Sequence, residues 1–247
     1  MLQAARVVQN EFLTIVDNLL LPEQCKALWN YFQLQSFRRI DALGMQGQWL
    51  LEDSGVLRGP TVGWGRKWEA QYPTQTAIDY VMKGVADAAE HFAATVGQRG
   101  ADWEVFSAVA TIYADGQGRL WHRATDEDIG TWVYYAHPIW NIEWGGELFV
   151  AHERDVSAAY GAFLHRLLPM PDHPDPLSWK SHLDNEDANE LLMERGIGSY
   201  VAPKPNRLVI VKGGTPQAIA KVRASAGRHV HASLGGVFKK VDRPQDS

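Results

Sequence analysis

The side chains of this 247-residue chain that could do chemistry are nine histidines, a run of acids and one cysteine, Cys25. His229 and His231 form a His-x-His pair; on a strand that spacing puts both imidazoles on one face and offers two nitrogen donors to a metal. Asp126, Glu127 and Asp128 follow His122 closely and read as a solvated loop whose carboxylates could swing inward. His152, His165, His173 and His182 lack ligand spacing and read as surface residues. A lone cysteine cannot close an internal disulfide, and no Cys/His spacing resembles a structural zinc site. These features point to a reducing cytoplasm.

These groups need a scaffold, and 45% hydrophobic against 21% charged residues is enough to bury a sizeable core in one domain or one domain plus an insertion. Lys+Arg of 24 against Asp+Glu of 29 gives a net charge of −5 and no basic field for a phosphate backbone, so no nucleic-acid partner is expected. No run approaches the roughly 18 apolar residues of a membrane span. The N-terminus also lacks a charged region followed by an apolar stretch, so we expect an unexported protein with no membrane partner. Ten Trp, eight Tyr and eight Phe favour aromatic core packing, with a pocket wall as the alternative use.

Phe12–Val16 reads as a strand, and Pro22 opens a helix with Cys25, Leu28, Trp29 and Phe32 at helical spacing. Residues 41–72 are rich in Gly and Trp and read as an ordered loop region. Ile78, Val81, Met82, Val85, Ala89, Phe92 and Val96 predict a helix over 74–96 packed on a sheet. After Gly100 the period drops to two, with Val105, Ser107, Val109, Thr111 and Tyr113 on one face and Phe106, Ala108, Ala110 and Ile112 on the other. Further short strands are predicted at 120–123, 131–136, 147–150, 207–211, 217–222 and 229–238, the pattern of a β-sandwich or jelly roll. Two helices, around 158–168 and 186–195, and a proline-rich joint between them read as a lid insertion.

Five motifs then follow in order: Tyr113-x-x-Gly116, a strand ending at His122, Tyr134-Tyr135, Gly145-Gly146-Glu147-Leu148 and Pro203-x-Pro205-Asn206-Arg207-Leu208. This succession, over roughly residues 103–238, resembles the prolyl-4-hydroxylase-like branch of the 2-oxoglutarate/Fe(II) oxygenases. The resemblance implies a mainly β protein with α supports, a cupin-like double-stranded β-helix with N-terminal helices and a helical lid insertion. We expect a single domain over 1–247. Residues 1–100 would supply an N-terminal strand and supporting helices, and 101–238 the β-helix core, interrupted by the insertion at 152–200.

The family's chemistry needs two histidines and a carboxylate on one face of iron, plus an arginine whose guanidinium fork pairs with a carboxylate of 2-oxoglutarate. By resemblance the first histidine is His122. The carboxylate position holds Ala124, the second histidine position Gln217, and the arginine position His231, two residues before Ser233. Tyr113 and Tyr135 match tyrosines that face the family's site, and Val133 and Leu148 match its apolar lining, while His137 belongs to the family's Tyr-Tyr-Ala-His-Pro pattern as a structural residue. Asp126, Glu127, Asp128 or Arg228 could replace the missing groups.

Three readings follow. The first is a small-molecule, secondary-metabolite tailoring enzyme without cofactor, in which His122 and His231 act as acid and base. It would perform cyclisation, isomerisation, elimination or hydrolysis, with Tyr113, Tyr135, Gln217 and Ser233 around the substrate. The second is a hydroxylase or halogenase using Fe(II) and 2-oxoglutarate through non-standard ligands, His122 among them. The third is a non-catalytic binding protein or the partner of an active paralogue.

Overall fold

The computed structural model describes residues 6–10, 12–39, 56–64, 69–91, 93–122, 124, 127–151 and 198–241. In chain order they form β1 (Arg6–Gln9), β2 (Leu13–Asp17), α1 (Pro22–Leu34), β3 (Arg38–Arg39), β4 (Leu57–Trp64), β5 (Ala70–Gln71), α2 (Ile78–His91) and α3 (Ala93–Val96). Then come β6 (Trp103–Tyr113), β7 (Arg119–His122), β8 (Asp128–Tyr135), β9 (Leu148–Val150), β10 (Ser199–Val201), β11 (Arg207–Lys212), β12 (Gln217–Ile219) and β13 (His231–Lys240). The two helices expected within 152–197 lie outside the described residues. Among the described residues no helix is long and apolar enough to cross a membrane.

Two sheets form the barrel. The larger runs β1-β2-β11-β8-β13-β6-β4-β3 with β5 alongside β4, and the smaller runs β10-β9-β12-β7. The period-two pattern decides what each face buries. Phe106, Ala108 and Ala110 of β6, Trp132 and Tyr134 of β8, Leu208 and Ile210 of β11, and Leu234 and Phe238 of β13 pack toward the helices. Val133, Tyr135, Val209 and Val211 point the other way, against Leu148 and Val150 of the smaller sheet. Full burial of one such large apolar side chain contributes about 1.5–3 kcal/mol, so alternation alone supplies a strong preference for this register.

Each helix packs on the large sheet through the face its spacing predicts. In α1, Pro22 occupies the first turn, where its missing N–H is not needed, and the Leu21 N–H donates to Gln24 Oε1 at 3.0 Å. Leu28 and Phe32 are its buried residues. In α2, Ile78, Val81, Met82, Val85 and Ala89 are buried. The helix starts at Ile78 rather than at Thr74 because the Asp79 carboxylate captures the N–H groups of Thr74 and Gln75 at 2.9 and 2.8 Å. Gln75 is thereby held at φ 59°, outside the helical region.

The loop expected over 41–72 is corrected in its later part. Leu57–Trp64 is a strand of the large sheet, antiparallel to β6, with its register broken between Arg58 and Thr61. Gly59 and Pro60 sit at that break, which is where a sheet tolerates proline. Residues 41–55 and 65–68 of the stretch lie outside the described residues. The first hundred residues therefore supply β1 to β5 to the large sheet, beyond the one strand and helices expected of them. The last strand begins at His231 rather than 229, because Gly227 turns the chain at φ 59° and the His229 N–H donates to the Ala226 carbonyl.

An ion-pair cluster ties β2 to β11. Arg207 grips Asp17 with Nε to Oδ1 at 2.7 Å and Nη2 to Oδ2 at 3.1 Å, and Lys204 Nζ reaches Oδ2 at 2.9 Å. Next to it Asn206, at φ 59°, accepts from the Leu20 N–H and the Tyr134 hydroxyl and donates to the Leu20 carbonyl. Burial pushes the Asp17 carboxyl up, but hydrogen bonds and charge from Arg207 and Lys204 outweigh it, and the net shift is downward. The sheet is also closely packed at β13, where a Cβ on Gly236 would run into the Ser107 carbonyl oxygen.

Two outcomes are expected. A carboxyl with a depressed folded-state pKa contributes stability above its unfolded value of about 3.9 and loses it as pH falls through the folded value. Asp17→Asn should therefore lower stability by about 3 kcal/mol at neutral pH and flatten the wild-type loss below about pH 4, read by urea denaturation at several pH values. Gly236→Ala should cost about 2 kcal/mol through overpacking at β13, with a lowered denaturation midpoint as the readout.

Candidate active site

Strand pairing brings the motif residues to the inner face of the barrel. On the smaller sheet Gln217 of β12 stands directly opposite His122 of β7. Gln217 is 6% exposed, and its Nε2 donates to Thr131 Oγ1 on β8 at 2.7 Å, across the gap between the two sheets. Ala124 is buried and presents only a methyl group. The side chain of His122 lies outside the described residues.

On the larger sheet His231 stands opposite Tyr113 of β6, and Ser233 opposite Tyr135 of β8. Four rings surround His231, with centroid distances of 5.5 Å to Tyr113, 5.4 Å to Tyr135, 5.3 Å to His137 and 5.5 Å to Trp140. The fifth side is backbone. Gly146 has φ +74°, and a Cβ there would come within 2.6 Å of the His231 ring, so only glycine leaves the imidazole its place.

This enclosure fixes the charge of the site. His231 is 0% exposed, and burial, followed by the neighbouring His137, holds its pKa well below the ordinary histidine value; the nearby Gly146 peptide offsets this only in part. Burial also lowers His137, to about 4. The His137 Nε2–H donates to the Pro203 carbonyl at 2.8 Å, which assigns the tautomer and leaves Nδ1 as the acceptor nitrogen. The Tyr135 hydroxyl is buried and pushed upward by desolvation, so it stays protonated. Both imidazoles and the phenol are thus neutral at pH 7.

Of the residues singled out from sequence, Tyr113, Tyr135, His231 and the buried Ser233 lie together on the larger sheet, and Gln217 reaches toward them from the smaller one. Val133 and Leu148 pack with Tyr135 in the apolar cluster between the sheets. His229 is separated from His231: it is exposed and stacks on Trp144 at 4.4 Å, so the His-x-His pair does not present two donors to one point. Glu127 is 84% exposed and pairs with Lys239, as does Asp128 at 2.7 Å, and Arg228 is exposed at the turn before β13. Asp126 lies outside the described residues, as do the histidines at 152, 165, 173 and 182.

Residues that the sequence did not mark complete the site. Thr131 could have been found, since it shares the inward parity of Val133 and Tyr135. Trp140, which donates Nε1–H to the Gly145 carbonyl, and the ring packing of His137 come from a loop without periodicity. Glu147 is buried as well; its Oε1 accepts from the Tyr200 hydroxyl at 3.2 Å and faces Arg223 at 3.7 Å.

Among the described residues, the groups at the positions that the resemblance assigns to iron and 2-oxoglutarate do not fit them. Ala124 has no donor atom, Gln217 offers only a neutral amide oxygen, a weak ligand beside an imidazole, and His231 supplies neither the charge nor the fork that pairs with a carboxylate. Among the described residues no group of three or more His, Cys, Asp or Glu side chains is arranged to hold a metal.

No family model matches the chain, and no curated protein matches it at a significant level. Solved structures do. A Pseudomonas putida prolyl-4-hydroxylase superposes with a TM-score of 0.54 at 14% identity, over 93% of this chain and 92% of that one. A prolyl hydroxylase from Trichoplax adhaerens, solved with a hypoxia inducible factor oxygen degradation domain peptide, gives 0.55 at 14% identity, over 93% and 84%. The epimerase SnoN, solved with Fe3+, alpha ketoglutarate and nogalamycin RO, gives 0.51 at 12% identity, over 95% and 82%. At these identities the likeness shows the fold: the chain is built as the double-stranded β-helix of the 2-oxoglutarate/Fe(II) oxygenases.

Proposed function

We propose that this protein is a small-molecule tailoring enzyme that works inside an oxygenase-type barrel by proton transfer, without Fe(II) or 2-oxoglutarate. The observation that carries this reading is His231, a neutral imidazole inside a ring cluster at the place where the resemblance calls for a carboxylate-binding arginine. The SnoN epimerase supports the wider class, since the same fold there holds a small molecule, nogalamycin RO.

A buried imidazole held neutral is in its proton-accepting form at pH 7. His231 would take a proton from the substrate at a ring nitrogen, and His122, on the facing sheet, would return one. Tyr135 O–H and the Gln217 amide would hold the oxygen on which charge develops. A forming anion beside His231 would raise its basicity at the moment of transfer, because an opposite charge favours the protonated imidazole. The chemistry open to such a pair is isomerisation, cyclisation, elimination or hydrolysis. A second reading, a non-catalytic partner of an active paralogue, is favoured by the absence of exposed surface on His231; co-purification with such a paralogue would support it.

The direct test is an anaerobic titration of metal-stripped protein with Fe(II), with and without 2-oxoglutarate, following stoichiometry and thermal midpoint. Neither should bind. Stoichiometric iron with a further upward shift from 2-oxoglutarate would overturn the reading in favour of a hydroxylase or halogenase with unusual ligands. Once a substrate is in hand, conversion should survive chelators and vanish in His122→Ala and His231→Ala. Because the His231 pKa is lowered, the acidic limb of its pH profile should lie below about 6.5.

A further inference from the structure

The ring cluster contains more hydrogen-bonding capacity than it uses. The Tyr135 hydroxyl, His137 Nδ1 and both ring nitrogens of His231 are buried and meet no hydrogen-bond partner of sound geometry among the described residues. Leaving a buried donor or acceptor unmet is costly, so a group that satisfied several at once would be bound on that account. The inventory is specific. His137 Nδ1 accepts, because its Nε2–H is committed to Pro203. His231 has one donor and one acceptor, and the Tyr135 hydroxyl can give or take.

The rings of the cluster carry no charge of their own. Among the described residues, Arg207, a neighbour of Tyr135, is committed to Asp17 and to the Ala202 carbonyl, and Arg58, a neighbour of Tyr113, faces Glu69. A carboxylate entering among the rings would lose its water without gaining a counter-charge from them. A primary carboxamide meets the inventory instead: its oxygen accepts from the Tyr135 hydroxyl and one of its N–H groups donates to His137 Nδ1, which leaves the acceptor nitrogen of His231 for the proton transfer.

We propose that this ring-lined centre binds the primary carboxamide end of a small molecule, in the place where the resemblance puts a carboxylate. This rests on the reading of the barrel as a metal-independent small-molecule site. Entry requires a flanking ring, Tyr113 or Trp140, to swing aside, since His231 has no exposed surface.

The test is a pair of calorimetric titrations of the full metal-stripped chain with glutaramide and with glutarate, beside the iron and 2-oxoglutarate titration. Glutaramide should bind, with a preference over glutarate of at least about tenfold, or ~1.4 kcal/mol. Tyr135→Phe should weaken glutaramide several-fold while keeping or raising the thermal midpoint, because it removes an unpaired buried hydroxyl. His231→Arg should reverse the preference toward glutarate; if that variant does not fold, Tyr135→Phe decides. Glutarate binding as tightly as glutaramide, no heat from glutaramide, or an unchanged affinity in Tyr135→Phe would each overturn the proposal. A silent glutaramide titration with no iron bound removes this inference and leaves the metal-independent reading standing. Iron and 2-oxoglutarate binding together would remove both.

Discussion

The pairing of β13 with β6 on one side and β8 on the other is the constraint on which the rest of the structure depends. Side chains alternate across a strand, so this one register sends Ala232, Leu234 and Phe238 into the helix-covered core and His231 and Ser233 into the barrel. A slip of one residue would put Phe238 among the inner polar groups and His231 against the helices. The contacts of Phe238 with Trp103 and Phe106, centroids 4.9 and 5.7 Å away, therefore help to hold His231 where it is.

Charge is sorted by position in this barrel. The strong ion pairs lie at its margins, where Arg207 and Lys204 hold Asp17 and Lys239 holds Asp128. The centre holds imidazole, phenol, hydroxyl and amide groups that burial keeps uncharged. Arginine would have imposed a permanent charge there, whereas histidine accepts neutrality under desolvation. A histidine at position 231 is thus compatible with a closed, ring-packed interior.

Much of the barrel was legible in the sequence because its signals are local. The two-residue period over 103–113 and the stripe from Ile78 to Ala89 each survive as written, and residues that the motifs singled out one by one prove to be paired across strands, Gln217 with His122 and His231 with Tyr113. What escaped was set by contacts far apart in sequence. Leu57–Trp64 hides behind Gly59 and Pro60, whose turn chemistry is absorbed by a break in register that only β6 defines. The Thr131 bond to Gln217 and the packing of Trp140 against His231 join residues 86 and 91 positions apart, beyond any periodicity.

The strand order also decides what could be cut from this protein. The motifs crowd into residues 103–238, which suggests a portable catalytic half. Yet β11 is flanked by β2, and β6 by β4, both from the first hundred residues. Severing the chain near Gly100 would bare two long edges, each a row of unpaired N–H and C=O groups, and strip the helices from Phe106, Leu208 and Phe238. Such a fragment would be a template for strand addition by its own copies. The N-terminal segment is thus the edge protection of the barrel as well as its support, and a gene fusion or domain graft would have to carry all of it.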